Sequence, residues 1–377
     1  MELIDIDEGY ILDILEKLLN IPSPSGYSDQ IVHFMGEELE RLGIDFHVTR
    51  RGAIRASLPG VQDDVARAVA AHLDTLGAMV REIKDNGRLG LAPIGSWSSR
   101  FAEGSRVTVF AEGIPHRGTV LPLKASGHVY GDEIDRQTTD WDHLEVRVDH
   151  RSSSAEDLVS DGFDVGDVVA FDAAPEITGN GFVNARHLDD KAGVAILLAA
   201  ARGLVESRVR LPVTCHLIFT IFEEIGVGGS AVLYENVTEM VAIDHAPLAA
   251  GQNGSEFGVT IGMMDAAGPF DYHLSRKLGR LCLDHGIEYS KDVFRLYRTD
   301  LASAIEAGND TRTALACFGV DGAHGWERAH IESLKAVVQL MALYLQSAPT
   351  FSRDRKDLSS LNGFPHQPTR DVIKIKT

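Results

Sequence analysis

The sequence of 377 residues is short of cysteine and of positive charge. Its three cysteines, Cys215, Cys282 and Cys317, lie far apart and form no CxxC pair, which argues against a disulfide framework. Only 36 lysines and arginines face 55 aspartates and glutamates, so the formal net charge is −19. A nucleic-acid-binding surface needs a basic patch, and an anionic membrane surface attracts basic segments. We therefore expect no nucleic-acid partner and no membrane partner.

Long apolar runs are also missing. The longest one, over 192–201, is too short for a bilayer span, which needs about 20 apolar residues. The start of the chain, MELIDIDEGY, is acidic and lacks the basic-then-apolar layout of a signal peptide. The composition thus predicts an acidic globular protein of the cytoplasm. It leaves open what the many carboxylates do.

The pattern of the chain changes twice. Up to residue 77, and again from residue 179, strand-like apolar runs alternate with helical patterns, which is typical of a layered α/β domain. In between, short β-type runs such as RVTVFAEG and LEVRVDH are separated by turn signals, which indicates a small barrel or sandwich. The simplest architecture is one discontinuous α/β domain, 1–77 and 179–377, with a β-rich domain, 78–178, inserted in a loop.

Several elements next to the polar motifs follow from their periodicity. The runs ARAVAAHLD at 66–74 and PVTCHLIFTIFEE at 212–224 predict buried strands, and 190–204 predicts a helix. DVFRLY at 292–297 predicts a further strand. GVGGS, which follows the acidic end of the second run, predicts a turn that starts a helix.

Metal-ligating side chains recur at the ends of the apolar runs. In an open α/β sheet, ligands bind at the carboxyl ends of the strands, so a single crevice collects such residues. The patches are His72-Leu73-Asp74, Asp189-Asp190, Glu223-Glu224, Asp244-His245 and His324.

The H-x-D spacing at 72–74 places both side chains on one side of an extended segment. Asp74 is then expected to accept a hydrogen bond from His72 while the other ring nitrogen binds a metal, because such pairs orient the imidazole. Taken alone, the motif is equally compatible with a strand-end histidine beside a turn-forming aspartate.

Two pairs of adjacent acids point the same way. Asp189 and Asp190 open a helix, where one carboxylate caps the helix and the other is free to bridge two metals; a simple N-cap is the alternative. Glu223 and Glu224 follow an apolar strand, where unpaired buried carboxylates are costly. Because neighbouring strand residues face opposite sides, one is expected to bind metal and the other to act as a general base. Two solvated acids at a strand end are the alternative.

The joint pattern is more specific than its parts. Two histidines and the acids supply two divalent metals with three protein ligands each, one aspartate being shared. Imidazole and carboxylate together suit Zn, with Co or Mn as further candidates.

The motifs HLD, LDDKAG, FEEIGVGG and AIDHA, in this order, resemble those of co-catalytic metallo-aminopeptidases, and most of all the M42 family of glutamyl and tetrahedral aminopeptidases. The position of the insertion supports this choice, since 117 residues separate His72 from Asp189 whereas only 20 separate Glu224 from Asp244. The resemblance implies a three-layer α/β/α zinc-peptidase-like catalytic domain with an inserted β-rich, barrel-like dimerisation or lid domain.

The resemblance also implies roles for individual residues. A first ligand set would be His72, Asp189 and Asp244, and a second ligand set would be Asp189, Glu224 and His324. Glu223 would be the general base, and Asp74 would orient His72.

Three departures from the family pattern stand out. Thr75 replaces a glutamate of the first motif, and Tyr297-Arg298 replaces a Gly-Gly pair on the specificity side. The last motif reads GAHGWERAH, which leaves His330 as an alternative to His324.

The implied activity is aminopeptidase action on short peptides by a metal-activated water, in a homo-oligomer between a dimer and a dodecamer. The alternative keeps the site and changes the substrate, to an amidase or deacylase of an N-acetylated dipeptide amide, as in the subgroup tied to the acetylglutaminylglutamine amide osmolyte system. A metal-binding assembly protein without peptidase activity is the remaining hypothesis.

Overall fold

The computed structural model describes residues 1–355, 358 and 360–365. The rest of the predicted second catalytic segment, 179–377, lies outside the described residues. Within the described part of the chain, no helix is long and apolar enough to cross a membrane.

The strands are numbered along the chain. They are β1 (Phe46–Val48), β2 (Ile54–Leu58), β3 (Gly60–His72), β4 (Gly77–Lys84), β5 (Arg88–Ile94), β6 (Arg106–Ala111), β7 (Ile114–Pro122), β8 (Leu144–Val148), β9 (Val168–Phe171), β10 (Glu176–Ile177), β11 (Phe182–Ala185), β12 (Leu211–Thr220), β13 (Val237–Pro247), β14 (Val259–Gly262), β15 (Met264–Asp265), β16 (Gly268–Pro269), β17 (Tyr289–Asp292), β18 (Arg312–Val320) and β19 (Glu327–His330).

The helices are numbered in the same way. They are α1 (Glu8–Leu19), α2 (Asp29–Arg41), α3 (Ser99–Ala102), α4 (Gly127–Tyr130), α5 (Glu133–Arg136), α6 (Ala155–Ser160), α7 (Leu188–Glu206), α8 (Tyr272–His285), α9 (Asp300–Glu306) and α10 (Ile331–Gln346). Short 3₁₀ turns cover Trp141–His143 and Ser352–Arg355.

The main sheet has eight strands in the order β1-β2-β12-β3-β13-β18-β14-β17. Its centre is parallel, since β3 pairs in parallel with β12 and β13, and β13 with β18. Val65–His72 of β3 are buried without alternation. Continuous burial means that layers cover both faces of the strand, which is the usual state of a parallel sheet. The predicted three-layer α/β fold is confirmed.

Helix α7 is the central helix of this domain. Its residues are buried almost all round, and it packs against β3, β13, α1 and α10. An apolar surface on every side of a helix requires neighbours on every side. The start of α7, which carries Asp189, is therefore held close to the ends of the sheet strands.

The inserted segment forms a closed six-stranded barrel in the order β4-β5-β8-β7-β6-β9, with β9 returning to β4. Of the two architectures predicted for this segment, a barrel or a sandwich, the barrel is the one observed. Alternating inward side chains such as Val80, Leu91, Val107 and Val146 fill its own core. Closure leaves no unpaired sheet edge among these strands, which explains how short strands remain stable here.

A small sheet of β10, β11 and β19 was not predicted. Its pairing joins Phe182–Ala185 to Glu327–His330. The strand just before α7 is thereby fixed to the strand just before α10.

Two predicted elements are wrong. The strand expected at 292–297 lies at Tyr289–Asp292 instead, because the Asp292 carboxylate accepts hydrogen bonds from the backbone N–H of Val293 and Asn253 and ends the strand. No helix follows GVGGS. There, Gly228 and Gly229 pack so tightly against Asp300 that an added Cβ would lie 2.3 and 2.1 Å from its atoms.

A buried cation lies in the middle of β3. The Arg67 guanidinium donates to the carbonyl oxygen of Tyr344 and, at 3.0 Å, to that of Ser347 at the end of α10. It also lies 3.9 Å from the Glu239 carboxylate, which a second cation, Lys277, approaches to 3.8 Å. The cluster ties α10 and β13 to the strand that ends at His72.

We expect Arg67→Met to lower the free energy of unfolding by about 3 kcal/mol, because it leaves the buried Glu239 with one cation fewer. Lys17→Met is the matched control, since Lys17 forms an exposed i,i+4 pair with Asp13. It should cost less than about 0.5 kcal/mol. Urea unfolding followed by circular dichroism measures both. Equal losses would contradict a special role for the buried cluster.

Candidate metal centre

A cleft of about 500 Å³ opens where β12 and β13 end, beside the start of α7. The acids Asp189, Glu223, Glu224 and Asp244 line it together with His324. The five residues come from four separate motifs of the sequence. The crevice at the carboxyl ends of the parallel strands therefore collects them, as the topology of an open α/β sheet predicts.

The first ligand set lies close together. One donor atom each from His72, Asp189 and Asp244 falls within 4.8 Å of the others, and all three residues are buried. The His72 Nε2 atom is 3.1 Å from Asp189 Oδ1. This spacing suits three ligands that point at a common centre.

The second ligand set lies on the other side of Asp189. Donor atoms of Asp189, Glu224 and His324 again fall within 4.8 Å of one another. The His324 Nε2 atom is 3.3 Å from Asp189 Oδ2 and 3.8 Å from Glu224 Oε2. The two oxygens of one carboxylate thus face two different histidines.

The orientation of His72 differs in detail from the expectation. Its Nδ1–H donates to the backbone carbonyl oxygen of Asp74 at 2.9 Å, whereas the Asp74 carboxylate is 3.6 Å away. The side chain of Asp190 accepts from the backbone N–H of His72 at 3.0 Å. Nε2 is therefore left free to face Asp189.

The Asp74 carboxylate instead orders the Glu-Glu pair. It accepts from the backbone N–H of Glu223 at 3.1 Å and from that of Glu224 at 3.3 Å. Ser25 Oγ donates to it as well, at 2.5 Å. Both glutamates lie beyond the end of β12, so this turn, rather than strand alternation, sets their directions.

His324, and not His330, faces the cleft. His330 donates from Nε2 to the carbonyl oxygen of Asn180 and accepts at Nδ1 from the backbone N–H of Glu332 at the start of α10. Its ring nitrogens are thus used within the fold. The His324 ring, by contrast, lines the cleft and turns Nε2 towards Asp189 and Glu224.

His245 belongs to the site although only its neighbour Asp244 was assigned a role. Its Nδ1 atom lies 3.1 Å from both Asp189 Oδ2 and Asp244 Oδ1. Its ring stacks on Tyr297 at 5.1 Å, and the Tyr297 hydroxyl donates to the His245 carbonyl oxygen. The Tyr297 side chain, which stands where the family pattern has glycine, therefore fills space beside the two ligand sets.

Two further buried acids were missed. Glu327 accepts from the backbone N–H of Asp189 at 3.1 Å and from that of His324 at 2.8 Å. Asp300 accepts from Thr220 Oγ1 at 2.5 Å. The sequence shows a glutamate shortly after His324 and a Thr-Asp pair at 299–300. Their spacing, however, does not indicate which residues they contact.

Burial and neighbouring charges strongly shift the pKa values of these groups. Burial, with the nearby charge of Asp189, raises the pKa of Glu224 to about 8. Burial alone would lower the pKa of His324, but hydrogen bonding to Asp189 and the charge of Glu224 raise it to about 9. Burial also raises the pKa of Glu223. The protein groups by themselves therefore share protons at neutral pH.

The donor set fits divalent metal ions. Buried carboxylates converge without a lysine or arginine among the two ligand sets, and Glu224 Oε1 is buried with no hydrogen-bond partner among the described residues. Burying such charge is expensive unless it is neutralised. Histidine and carboxylate ligands are those that Zn²⁺ and related ions use.

Comparison with known proteins identifies relatives of this chain. A family model described as M42 glutamyl aminopeptidase matches residues 52–340. "Putative aminopeptidase YhfE" of Bacillus subtilis is 35% identical over 337 residues, which is 89% of this chain and 97% of that protein. The lysyl aminopeptidase of Pyrococcus furiosus is 28% identical over 58% of this chain and 61% of that protein.

Solved structures share the fold. An aminopeptidase of the archaeon Desulfurococcus kamchatkensis superposes with a TM-score of 0.80 at 22% identity, over 91% of this chain and 96% of that one. The TET1 peptidase of Pyrococcus horikoshii superposes with a TM-score of 0.79 at 23% identity, over 90% of this chain and all of that one. The family model covers most of the chain, so this protein belongs to the M42 peptidase family and is an aminopeptidase, a hydrolase of peptide bonds.

Proposed function

We propose that the protein is a dinuclear metal-dependent aminopeptidase that releases the N-terminal residue of short peptides. The observation that carries this proposal is the position of Asp189, whose Oδ1 faces His72 and whose Oδ2 faces His324. A carboxylate shared in this way suits two ions about 3.5–4 Å apart, the spacing of two-metal hydrolases.

His72, Asp189 and Asp244 would hold one ion, and Asp189, Glu224 and His324 the other. Zn²⁺ is our first choice, with Co²⁺ or Mn²⁺ as alternatives. When bound, two such ions supply Lewis acidity that polarises the scissile carbonyl and lowers the pKa of the attacking water. The protein contributes the fixed directions of its ligands.

Glu223 is the proposed general base. It lines the cleft, its backbone is fixed by Asp74, and its Oε2 lies 3.8 Å from His72 Nε2. Its carboxylate takes a proton from water as the water oxygen attacks the carbonyl carbon. The same proton then passes to the leaving nitrogen as the C–N bond breaks, so Glu223 ends unchanged.

The cleft sets the size of the substrate. A volume of about 500 Å³ accommodates a side chain and a short stretch of peptide, within the range of small-molecule pockets. Away from the acids, the lining residues include Gly95, Ser96, Ile225, Leu296 and Arg298. The acidic end of the cleft suits the free amino terminus of a peptide. The other end, which is open and lined by both polar and apolar residues, suits a short peptide chain.

We also propose a homo-oligomer in the cytoplasm. The structural relatives include a dodecamer of PhTET1 and the TET1 peptidase that assembles into a tetrahedron or a large octahedral shell. An assembly between a dimer and a dodecamer of this chain is the corresponding proposal.

The role of Glu223 is testable by a substitution that keeps its shape. Glu223→Gln should reduce kcat by a factor of at least about 100, because the amide cannot accept the proton, while two metal ions per chain remain. Aminoacyl-anilide hydrolysis and elemental analysis measure the two quantities.

Glu224→Gln is the matched control for that experiment. It removes a charge from the adjacent residue but should lower metal content as well as turnover, since Glu224 is a proposed ligand. If Glu223→Gln lost metal to the same degree, Glu223 would be a ligand rather than the base.

Metal affinity should rise with pH. The raised pKa values of Glu224, about 8, and His324, about 9, mean that these groups hold protons at neutral pH, which a cation must displace. The dissociation constant for Co²⁺ or Zn²⁺ should therefore fall between about pH 6.5 and about pH 8.5. Calorimetry in buffers of different ionisation enthalpy counts the released protons; binding without proton release would contradict this expectation.

A substrate panel separates the proposal from the amidase alternative. Peptides and anilides with a free amino group should be cleaved, and their N-acetylated counterparts should not. Preferential cleavage of an N-acetylated dipeptide amide would overturn the aminopeptidase assignment in favour of the alternative.

A further inference from the structure

His324 lies on a tight loop rather than on a strand or helix. The loop is closed by backbone hydrogen bonds between Asp321 and Arg328, at 2.9 and 3.0 Å. His324 itself has a positive φ of 64°, a conformation that residues other than glycine adopt at a cost. Its position therefore depends on contacts beyond the two hydrogen bonds that close the loop.

Glu327 supplies one of these contacts. The side chain is buried, with Oε1 accepting from the His324 N–H and Oε2 from the Asp189 N–H. One carboxylate thus joins the backbones of two members of the second ligand set. A carboxylate buried this deeply is costly unless its oxygens accept hydrogen bonds, as both do here.

Arg186 supplies the second contact. Its guanidinium donates to the Gly325 carbonyl oxygen of the loop at 3.3 Å. The other amino group donates to the Phe101 carbonyl oxygen at 2.6 Å and to Ser105 Oγ at 2.9 Å, both in the inserted segment. The planar guanidinium therefore connects the loop directly to the barrel.

Ser96 supplies the third contact. It follows β5 of the barrel, and its carbonyl oxygen accepts from His324 Nδ1–H at 3.1 Å. With Nδ1 used as a donor, Nε2 is the nitrogen that faces Asp189 and Glu224. A hydrogen bond on the distant nitrogen of a ligand histidine commonly fixes the ring in this way.

We propose that the inserted barrel helps to position the second ligand set through its contacts with His324 and Arg186. In this proposal, Arg186 and Glu327 are the positioning residues that hold His324 in place. The inference rests on the proposed dinuclear function. Arg186 contacts only the His324 side of the centre, whereas Glu327 also supports the shared Asp189. Loss of Arg186 should therefore weaken the binding of one ion selectively, and loss of Glu327 should weaken the binding of both ions.

The test is stepwise titration of metal-free protein with Co²⁺, followed by calorimetry and by the visible absorption of bound cobalt. Arg186→Met should bind the first ion as the wild type does and the second about 10–100-fold more weakly. Arg186→Lys keeps the charge and some of the hydrogen-bond donors, so its affinity for the second ion should lie between those of the wild type and Arg186→Met. Glu327→Gln has one acceptor oxygen for two N–H groups, so both ions should bind more weakly.

Arg106→Met is the matched control, because Arg106 forms an exposed ion pair with Asp149 on the barrel surface. It should bind both ions like the wild type. Unfolding temperatures of all variants, measured without metal, separate positioning from a general loss of structure.

The outcomes are distinct. Wild-type affinity for both ions in Arg186→Met, or an equal loss of both ions with a lowered unfolding temperature, would overturn the positioning role. A wild-type chain that binds fewer than two ions would overturn the proposed dinuclear function itself, and the inference with it.

Discussion

The cost of burying carboxylates governs this structure. The carboxylates of Asp189, Glu223, Glu224 and Asp244 converge in one cleft. Each such charge is unfavourable in a protein interior without compensation. The fold meets part of this cost with histidines that lie within hydrogen-bonding distance. In the proposed function, the remaining negative charge attracts the two dications, so a charge that opposes folding would favour metal binding.

The surrounding scaffold works mainly through the backbone. Asp74 accepts from the N–H groups of Glu223 and Glu224, and Glu327 from those of Asp189 and His324. Acids that do not line the cleft therefore orient the acids and the histidine that do. Orienting a ligand through its own main chain leaves its side-chain oxygens or ring nitrogen available. Two acids adjacent in the sequence contact different parts of one residue in the same way: Asp190 accepts from the backbone N–H of His72, whereas Asp189 faces its ring.

Much of this was predictable because strand topology is encoded in short patterns. The apolar runs at 66–74 and 212–224 predicted buried strands, and the rule that parallel strands present ligands at one edge predicted a common crevice. What failed depended on tertiary contacts. GVGGS turns without a helix because Asp300, some 70 residues later, occupies the space beside its glycines. Glu327 gained its role only when β19 paired with β11, a short pairing that no periodicity reveals.

The carbonyl oxygen of Ser96 carries a wider implication. A chain trimmed to its α/β layers would keep every donor of both ligand sets in its sequence, yet it would lack the acceptor that selects the tautomer of His324. Either ring nitrogen could then carry the proton. Any miniaturised version of this enzyme would therefore need a replacement carbonyl at that point, placed by a new loop, before it could recover the full centre.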